Sequence, residues 1–339
     1  MAFFCGADKA LLDERRQLFG YSACYADECI PSCPADDVMP AEYALQHGSH
    51  RDNSEAACTW IPYGAIRSAC KKSANALRLS MEHISLILSD LDGTLFRNDK
   101  SISPFTKNII AAAQKKGILF GISTSRALVN AEKFLDGIAA DILISNGGGM
   151  VRVDGKQIYT CAFSAEETRV LIRSVFAVLG SNAVISVDNE HGLYSNSKEE
   201  LGDKFWTFSD FSAFDEGAMK LCIQTLDKEA VVKIASSIGL DAIDLLPFSD
   251  IPWYKLSKKN ATKECAIQAL CDYLKLPADE LVAFGDDFND IGMLRFCGTG
   301  IATANAIDEV KQVADAVCGS NEDDGVAKWI ERHVLRAES

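Results

Sequence analysis

The chain has 339 residues, of which 48% are hydrophobic, and this length is sufficient for two domains with a substantial core. Its formal net charge of −14 argues against a nucleic-acid partner bound through a basic surface. No apolar run approaches the roughly 20 residues of a membrane span, and the N-terminus lacks the basic and apolar pattern of a signal sequence. We therefore expect a soluble, cytoplasmic protein with no membrane or nucleic-acid partner.

The first 80 residues differ in pattern from the rest of the chain. They combine short amphipathic pieces with a polar, turn-rich run, so we expect residues 1–80 to form an N-terminal extension that is disordered or separately packed. Of the twelve cysteines, Cys24, Cys29 and Cys33 lie close together here without completing a paired metal-ligand set. The cysteines after Met81 are scattered in apolar surroundings and are expected to be reduced thiols.

The most informative segment is 86–96, with the sequence LILSDLDGTLF. Its apolar start predicts a buried strand that presents Asp90 and Asp92 at its carboxyl end, and alternation along the strand places both on the same side. Two carboxylates at this spacing are costly to keep together without a cation between them, so the pair predicts a divalent-metal site. Gly93 and Thr94 then allow a tight turn.

The following segments alternate between helix and strand. The predicted elements are a helix over 104–116, a strand over 118–122, a helix over 128–135, a strand over 141–145 and a hairpin over 151–159. Ser103 and Pro104 are suitable residues for the start of the first helix. Each strand ends in small polar residues, which indicates a parallel, doubly wound sheet with a site at the carboxyl ends of its strands.

The pattern changes after residue 163. The predicted elements are helices over 165–179 and 228–238 and strands over 183–187, 193–195, 218–225, 241–246 and 253–257. A helix over 262–274 and a strand over 281–285 then resume the parallel pattern. We therefore expect a core formed by 81–162 and 253–339, with an α+β domain, 163–252, inserted into it.

Three further groups of polar residues mark a site. Thr124 and Ser125 follow the second strand, where a hydroxyl and backbone N–H groups can hold a phosphate oxygen, although such residues also cap helices. Lys263 lies near the start of a helix, where the helix dipole disfavours a cation, and a surface lysine is the alternative interpretation. The run Gly-Asp-Asp-Phe-Asn-Asp at 285–290 follows another apolar strand.

These strings, in this order, resemble the four motifs of the haloacid dehalogenase superfamily. LILSDLDGTLF resembles the nucleophile motif, Ile-Ser-Thr-Ser-Arg the second motif, Asn-Ala-Thr-Lys-Glu-Cys-Ala-Ile the third and Gly-Asp-x-x-Asn-Asp the fourth. Ser125 stands where the family commonly has Gly. The segment 300–327 resembles the C-terminal signature of the Cof-type branch. The resemblance covers about 81–334 and implies an α/β fold: a doubly wound parallel sheet core with an inserted α+β cap of the C2B type.

The resemblance also implies a function, a Mg2+-dependent phosphatase that hydrolyses small phosphomonoesters through an aspartyl-phosphate. Asp90 would be the nucleophile and Asp92 the general acid and base, while Lys263 contacts both the nucleophile and the phosphoryl group. The implied phosphate-binding residues are Thr124, Ser125, Lys263 and Asn289. The implied metal ligands are the Asp90 carboxylate, the Asp92 backbone carbonyl and Asp286, with Asp290 in the outer shell.

The cap is expected to select the leaving group of a small phosphorylated metabolite. Its candidate contacts are His191, Tyr194, Trp206 and Phe208, and packing is the alternative role of each. Sugar phosphates and phosphorylated cofactors such as pyridoxal phosphate or flavin mononucleotide are all compatible substrates. Two other functions are also compatible: a phosphomutase of the same superfamily and a non-catalytic module that binds a phosphorylated metabolite. The sequence does not determine the oligomeric state.

Overall fold

The structure, a computed structural model, describes residues 83–129, 131, 135, 137–197, 206–247 and 251–336. The predicted extension over 1–80, its cysteines and part of the predicted helix over 128–135 lie outside the described residues. The strands of the larger sheet are β1 (Leu86–Ser89), β2 (Leu119–Ser123), β3 (Ile142–Ser145), β4 (Met150–Val153), β5 (Lys156–Thr160), β12 (Leu281–Gly285), β13 (Thr299–Ala302) and β14 (Ala316–Val317). Those of the smaller sheet are β6 (Ile185–Asp188), β7 (Leu193–Ser195), β8 (Trp206–Phe208), β9 (Lys220–Gln224), β10 (Ile243–Pro247) and β11 (Trp253–Lys258).

Strand β1 lies in the middle of the larger sheet, whose strand order is β14-β13-β12-β1-β2-β3-β4-β5. All neighbours from β14 to β3 pair in parallel, and β4 and β5 extend the sheet in antiparallel fashion. The four residues of β1 are all buried, as expected for a strand that is covered on both faces. The predicted α/β class with a doubly wound parallel core is confirmed, and the carboxyl ends of β1, β2, β3 and β12 meet at one edge.

Four of the seven named α-helices lie within three residues of predicted helices, and the three that begin at residue 291 or later were not predicted. They are α1 (Pro104–Lys115), α2 (Ala165–Leu179), α3 (Lys228–Ala235), α4 (Lys263–Leu274), α5 (Ile291–Phe296), α6 (Asp308–Val313) and α7 (Gly325–Ile330). Ser103 caps α1 as predicted, since its Oγ accepts a hydrogen bond from the Thr106 N–H at 3.0 Å. Ser164 and Glu167 form a capping box at the start of α2. Helix α3 ends three residues before the predicted residue 238.

The smaller sheet, with the order β10-β11-β9-β6-β7-β8, packs against α2 and α3 to form an α+β unit with its own apolar core. The predicted domain boundary at residue 253 assigned β11 to the larger unit. In the structure β11 pairs antiparallel with both β9 and β10. The residue pattern of an apolar strand next to a domain boundary is compatible with either sheet. The sheet to which such a strand belongs is decided by its pairing with strands that are distant in the sequence. The chain therefore re-enters the larger unit after Lys258.

Apolar side chains fill the interior between the larger sheet and its helices. Ile87, Phe120 and Phe284 pack with Ile110 of α1 and Trp329 of α7. The Phe284 and Trp329 rings meet edge to face, with their centroids 5.3 Å apart. The described cysteines are all free thiols, as expected: Cys161, Cys222, Cys265, Cys271, Cys297 and Cys318. Within the described ranges, no helix is both long and apolar enough to cross a bilayer.

A tight backbone contact joins the turn after β3 to the start of α4. Gly148 has a φ angle of +105°, and a Cβ atom at this position would overlap the Thr262 carbonyl and lie 2.7 Å from the Lys263 nitrogen. Only glycine combines this backbone angle with such a close approach. The contact fixes the backbone immediately before Lys263.

Replacement of Gly148 should therefore destabilise the protein. We expect Gly148→Ala to lower the free energy of unfolding by about 2–4 kcal/mol, because backbone strain and steric overlap add. Gly155→Ala is a matched control: Gly155 has φ +75°, but no atom lies within 4 Å of an added Cβ, so about 1–2 kcal/mol of strain is expected. Urea unfolding of both variants measures the difference, and equal losses would contradict the proposed contact.

Candidate active site

Asp90 directly follows strand β1 and lies at the carboxyl edge of the larger sheet. Asp90 is 7% exposed, and its N–H donates to the Phe284 carbonyl of the adjacent β12 at 3.0 Å. Its Oδ1 accepts a hydrogen bond from Lys263 Nζ at 2.6 Å. Burial raises the pKa of Asp90 to about 7; Lys263 opposes this rise and Asp290 adds to it. Asp90 is thus a buried carboxyl group whose Oδ1 is held by the Lys263 cation.

Lys263, the first residue of α4, lies between two carboxylates. It is 2% exposed, and its Nζ donates to Asp90 Oδ1 and to Asp290 Oδ1, both at 2.6 Å. Burial alone lowers the pKa of Lys263, but Asp290 and Asp90 outweigh this effect and raise it above the usual range. Lys263 therefore stays a cation, and its two carboxylate partners offset the unfavourable position at a helix start.

Asp290 organises the turn that follows β12. Its Oδ2 accepts hydrogen bonds from the N–H groups of Asp286 at 2.9 Å and Asp287 at 3.1 Å, while its Oδ1 is held by Lys263. Gly285 has no room for a Cβ, which would collide with the Asp290 side chain. Both carboxylate oxygens of Asp290 are therefore engaged by protein groups.

Asp286 completes an acidic cluster that can hold a metal ion. Its Oδ1 accepts a hydrogen bond from Thr94 Oγ1 at 2.6 Å, and the absence of a side chain at Gly93 leaves room for its carboxylate. Burial raises the pKa of Asp286 to about 8, and the Asp90 and Asp290 charges add to the rise. One carboxylate oxygen from each of Asp90, Asp286 and Asp290 lies within 4.8 Å of the others. This oxygen-only set fits a hard divalent cation such as Mg2+.

A cavity of about 260 Å³ opens at this edge of the sheet. It is lined by Asp90, Asp92, Thr124, Ser125, Arg126, Lys263, Asp287, Asn289 and Asp290. Thr124 is buried, its N–H donates to the Ile144 carbonyl at 2.8 Å, and its Oγ1 accepts a hydrogen bond from the Arg126 N–H at 3.1 Å. Of the eight residues that the sequence predicts for the site, seven line this cavity, and the eighth, Asp286, lies in the acidic cluster. We call the cavity of 260 Å³ the phosphate cavity.

Two cations hold the Asp92 carboxylate. Arg126 donates from Nε to Oδ2 at 2.6 Å and from Nη2 to Oδ1 at 2.8 Å, and Lys100 Nζ donates to Oδ1 at 2.7 Å. Burial alone raises the pKa of Asp92, but these hydrogen bonds outweigh it and lower the pKa. Neither cation is among the residues that the sequence predicts for the site. Arg126 belongs to the Ile-Ser-Thr-Ser-Arg string and could have been found there, whereas Lys100 lies in a polar loop without a signal.

The four cap residues predicted to contact the leaving group do not line the phosphate cavity. Tyr194 packs edge to face on Phe214, with ring centroids 5.2 Å apart. Trp206 is half-buried and Phe208 is exposed, both in β8. His191 lines a second cavity, which lies between β5 and the α+β unit of the smaller sheet, the predicted cap.

Comparison with known proteins identifies the family of this chain. The family model described as haloacid dehalogenase-like hydrolase matches residues 87–330, more than half of the chain. The 5-amino-6-(5-phospho-D-ribitylamino)uracil phosphatase of Bacillus subtilis (strain 168) is 26% identical over 262 residues, which cover 73% of this chain and 97% of the relative. The phosphoglycolate phosphatase of Methanopyrus kandleri is 26% identical over 250 residues, which cover 73% of this chain and 96% of the relative.

A solved structure shares the fold. A sugar phosphatase of subclass IIB of the haloacid dehalogenase superfamily matches with a TM-score of 0.60 and 22% identity, over 73% of this chain and 98% of the other. The predicted resemblance to the Cof-type branch is thereby confirmed. The motif order, the parallel core and the family match agree, and the chain belongs to the haloacid dehalogenase-like hydrolase family.

Proposed function

We propose that this chain is a Mg2+-dependent phosphatase that hydrolyses small phosphomonoesters through an aspartyl-phosphate on Asp90. The observation that carries the proposal is the buried Asp90 carboxylate, which Lys263 holds at 2.6 Å in a cavity that also contains Thr124. Two relatives that are named as phosphatases of small phosphorylated compounds support it.

Asp90 and Asp92 divide the chemistry between them. An Asp90 carboxylate oxygen forms a bond to phosphorus while the bond from phosphorus to the leaving oxygen breaks. Asp92 exchanges a contact with Arg126 or Lys100 for a proton when substrate is bound, and it gives that proton to the leaving oxygen. In the second step a water molecule attacks phosphorus, Asp92 accepts a proton from this water, and the bond from Asp90 to phosphorus breaks. The products are an alcohol and inorganic phosphate, and Asp90 is regenerated.

Donors around the phosphate cavity stabilise the charge of the transferring phosphoryl group. Lys263 places its ammonium beside Asp90, and Asn289 offers an amide at the cavity wall. Thr124 Oγ1 accepts a hydrogen bond from the Arg126 N–H, which directs the hydroxyl hydrogen to another acceptor, such as a phosphoryl oxygen. Ser125 lies beside Thr124 in the wall. Preorganised donors of this kind supply much of the rate acceleration in phosphoryl transfer.

The acidic cluster is the proposed Mg2+ site. The Asp90 carboxylate, the Asp92 backbone carbonyl and Asp286 would hold the ion, which when bound supplies positive charge beside the nucleophile and the phosphoryl oxygens. Asp290 would act from the outer shell, because Lys263 and two backbone N–H groups already engage its oxygens.

Replacement of the nucleophile tests the reaction itself. We expect Asp90→Asn to lower Mg2+-dependent phosphate release by roughly 10³-fold or more, because the amide cannot form the covalent intermediate. The measurement is phosphate release from a panel of phosphomonoesters with and without Mg2+. Asp272→Asn, an exposed position on α4, is the control and should retain activity. Folded wild-type protein that releases no phosphate from any ester would contradict the proposal, and transfer to a bound sugar that requires a bisphosphate activator would indicate a mutase.

Replacement of Asp92 tests its role as the acid. We expect Asp92→Asn to lower kcat for alkyl phosphates by about 10²–10⁴-fold, because an alkoxide leaves poorly without a proton. Formation of the aspartyl-phosphate from p-nitrophenyl phosphate should fall much less, since p-nitrophenolate leaves without protonation. Rapid-quench measurement of the first turnover with both esters compares the two effects. Equal losses for the two esters would argue against proton donation by Asp92.

Removal of the Arg126 guanidinium tests the contact that directs Asp92. We expect Arg126→Met to lower kcat/KM for alkyl phosphates by about 10–100-fold, because a misdirected carboxylate no longer faces the leaving oxygen. The first turnover of p-nitrophenyl phosphate should be affected less, as for Asp92. Arg332→Met, at an exposed position near the C-terminus, serves as the control. A loss that is the same for both esters would assign Arg126 a role other than positioning Asp92.

A further inference from the structure

Two short segments connect the larger unit to the cap, and a cysteine lies at each of them. The first connection, 161–162, begins with Cys161 directly after β5 and ends where Phe163 pairs with the cap. The second connection, 259–262, leads from β11 into α4, and Cys265 lies three residues beyond it. The two cysteines are 104 positions apart in the sequence, so only the fold can bring them together.

Backbone contacts hold the two cysteines near each other. The Cys161 N–H donates to the Gly149 carbonyl at 2.8 Å. The Cys265 N–H donates to Thr262 Oγ1 at 3.3 Å. Gly148, next to Gly149, is in close contact with Thr262, since a Cβ on Gly148 would lie 2.1 Å from the Thr262 carbonyl oxygen. Each cysteine is therefore hydrogen-bonded to one of two segments that touch directly.

The direction of the Cys161 side chain follows from its neighbours. Thr160 and Ala162 line the second cavity. Side chains alternate along an extended chain, so Cys161 and Tyr159 lie together on the opposite face. Helix α4, which carries Cys265, packs against β5.

Cys161 and Cys265 both lie close to the Tyr159 hydroxyl. Burial raises the pKa of Tyr159, and Cys161 and Cys265 both add to the rise. Burial likewise raises the pKa of Cys161; the hydrogen bond with Tyr159 opposes this rise, and Cys265 adds to it. The two sulfur atoms therefore belong to one group of side chains between β5 and α4.

Both thiols are accessible to a small molecule. Cys161 and Cys265 are partly exposed, whereas three other described cysteines are buried, namely Cys222, Cys271 and Cys297. Paired thiols that solvent can reach are the usual sites of reversible oxidation in proteins whose other thiols stay reduced.

From these observations we propose that Cys161 and Cys265 form a redox modification site, at which a hydroperoxide converts the two thiols into a disulfide. One sulfur, as thiolate, attacks a peroxide oxygen; the O–O bond breaks, and a sulfenic acid and one water form when the oxidant is hydrogen peroxide. The other thiol attacks the sulfenic sulfur, the S–S bond forms and a second water leaves. A dithiol such as dithiothreitol reverses the reaction by thiol–disulfide exchange.

The disulfide would tie the first connection to the start of α4. It would restrict changes of backbone angle in the first connection and in the second, because Cys265 lies only three residues beyond segment 259–262. Residues that absorb such changes commonly affect kcat and KM together. Oxidation should therefore slow phosphate release, and this consequence, unlike the disulfide itself, rests on the phosphatase function proposed above.

Peptide mapping tests the disulfide directly. The full chain is treated with hydrogen peroxide at mildly alkaline pH, free thiols are blocked with N-ethylmaleimide, and the protein is digested with trypsin without reduction. We expect a cross-linked pair of the peptides 157–169 and 264–275, which dithiothreitol removes. The second peptide also contains Cys271, so fragment ions must assign the bond to Cys265. Absence of the pair, or a bond at Cys271 instead, would overturn the proposal.

Hydrolysis of p-nitrophenyl phosphate tests the effect on activity. Peroxide treatment should lower kcat of the wild type by at least about fivefold, and dithiothreitol should restore it. Cys161→Ser and Cys265→Ser should match the wild type before treatment and keep their activity after it. Cys318→Ser removes another partly exposed thiol and should respond as the wild type does.

The remaining outcomes separate this proposal from the phosphatase function. A cross-linked wild type with unchanged kcat, or an equal loss in Cys161→Ser, would overturn the regulatory role of the disulfide. If the reduced wild type releases no phosphate, the phosphatase function fails, and the peptide map still decides whether the disulfide forms.

Discussion

The rest of the site depends on one buried cation held between two carboxylates. Lys263 Nζ donates to Asp90 and Asp290 at 2.6 Å each, and all three side chains are buried. Removal of one partner from such a group typically costs about 3–5 kcal/mol, because the remaining charge is left without compensation. The contact joins α4, β1 and the turn after β12, so the same interaction that orders the Asp90 carboxylate also holds three elements of the core together.

Local residue patterns were sufficient to predict most of the core. The apolar run before Asp90 and the N-cap at Ser103 correspond to β1 and α1 as the structure has them. The placement of β11 was wrong, because its alternating residues are compatible with either sheet and only its pairing with β9 and β10 decides. Pairing partners are set by contacts between distant segments, which the pattern of a single segment does not contain.

The candidate site shows the same division between local and long-range information. Asp90, Thr124, Lys263 and the acidic run after β12 each lie in a short string, and the fold brings them to one edge of the sheet. The cations that hold Asp92 were not predicted, since Lys100 belongs to a polar loop whose residues have many possible partners. Of the four cap residues named from the sequence, only His191 lines a cavity, the second one, because the loop geometry that brings cap residues to a cavity is not described by any motif.

The close approach of Gly148 to the Thr262 carbonyl has a mechanical consequence. Four residues, 259–262, separate the end of β11 in the cap from the start of α4. Because the backbone at Thr262 is in close contact with Gly148, a movement of the cap would change this connection mainly in the segment 259–261. Lys263 would thereby keep its hydrogen bonds to Asp90 and Asp290 during such a movement.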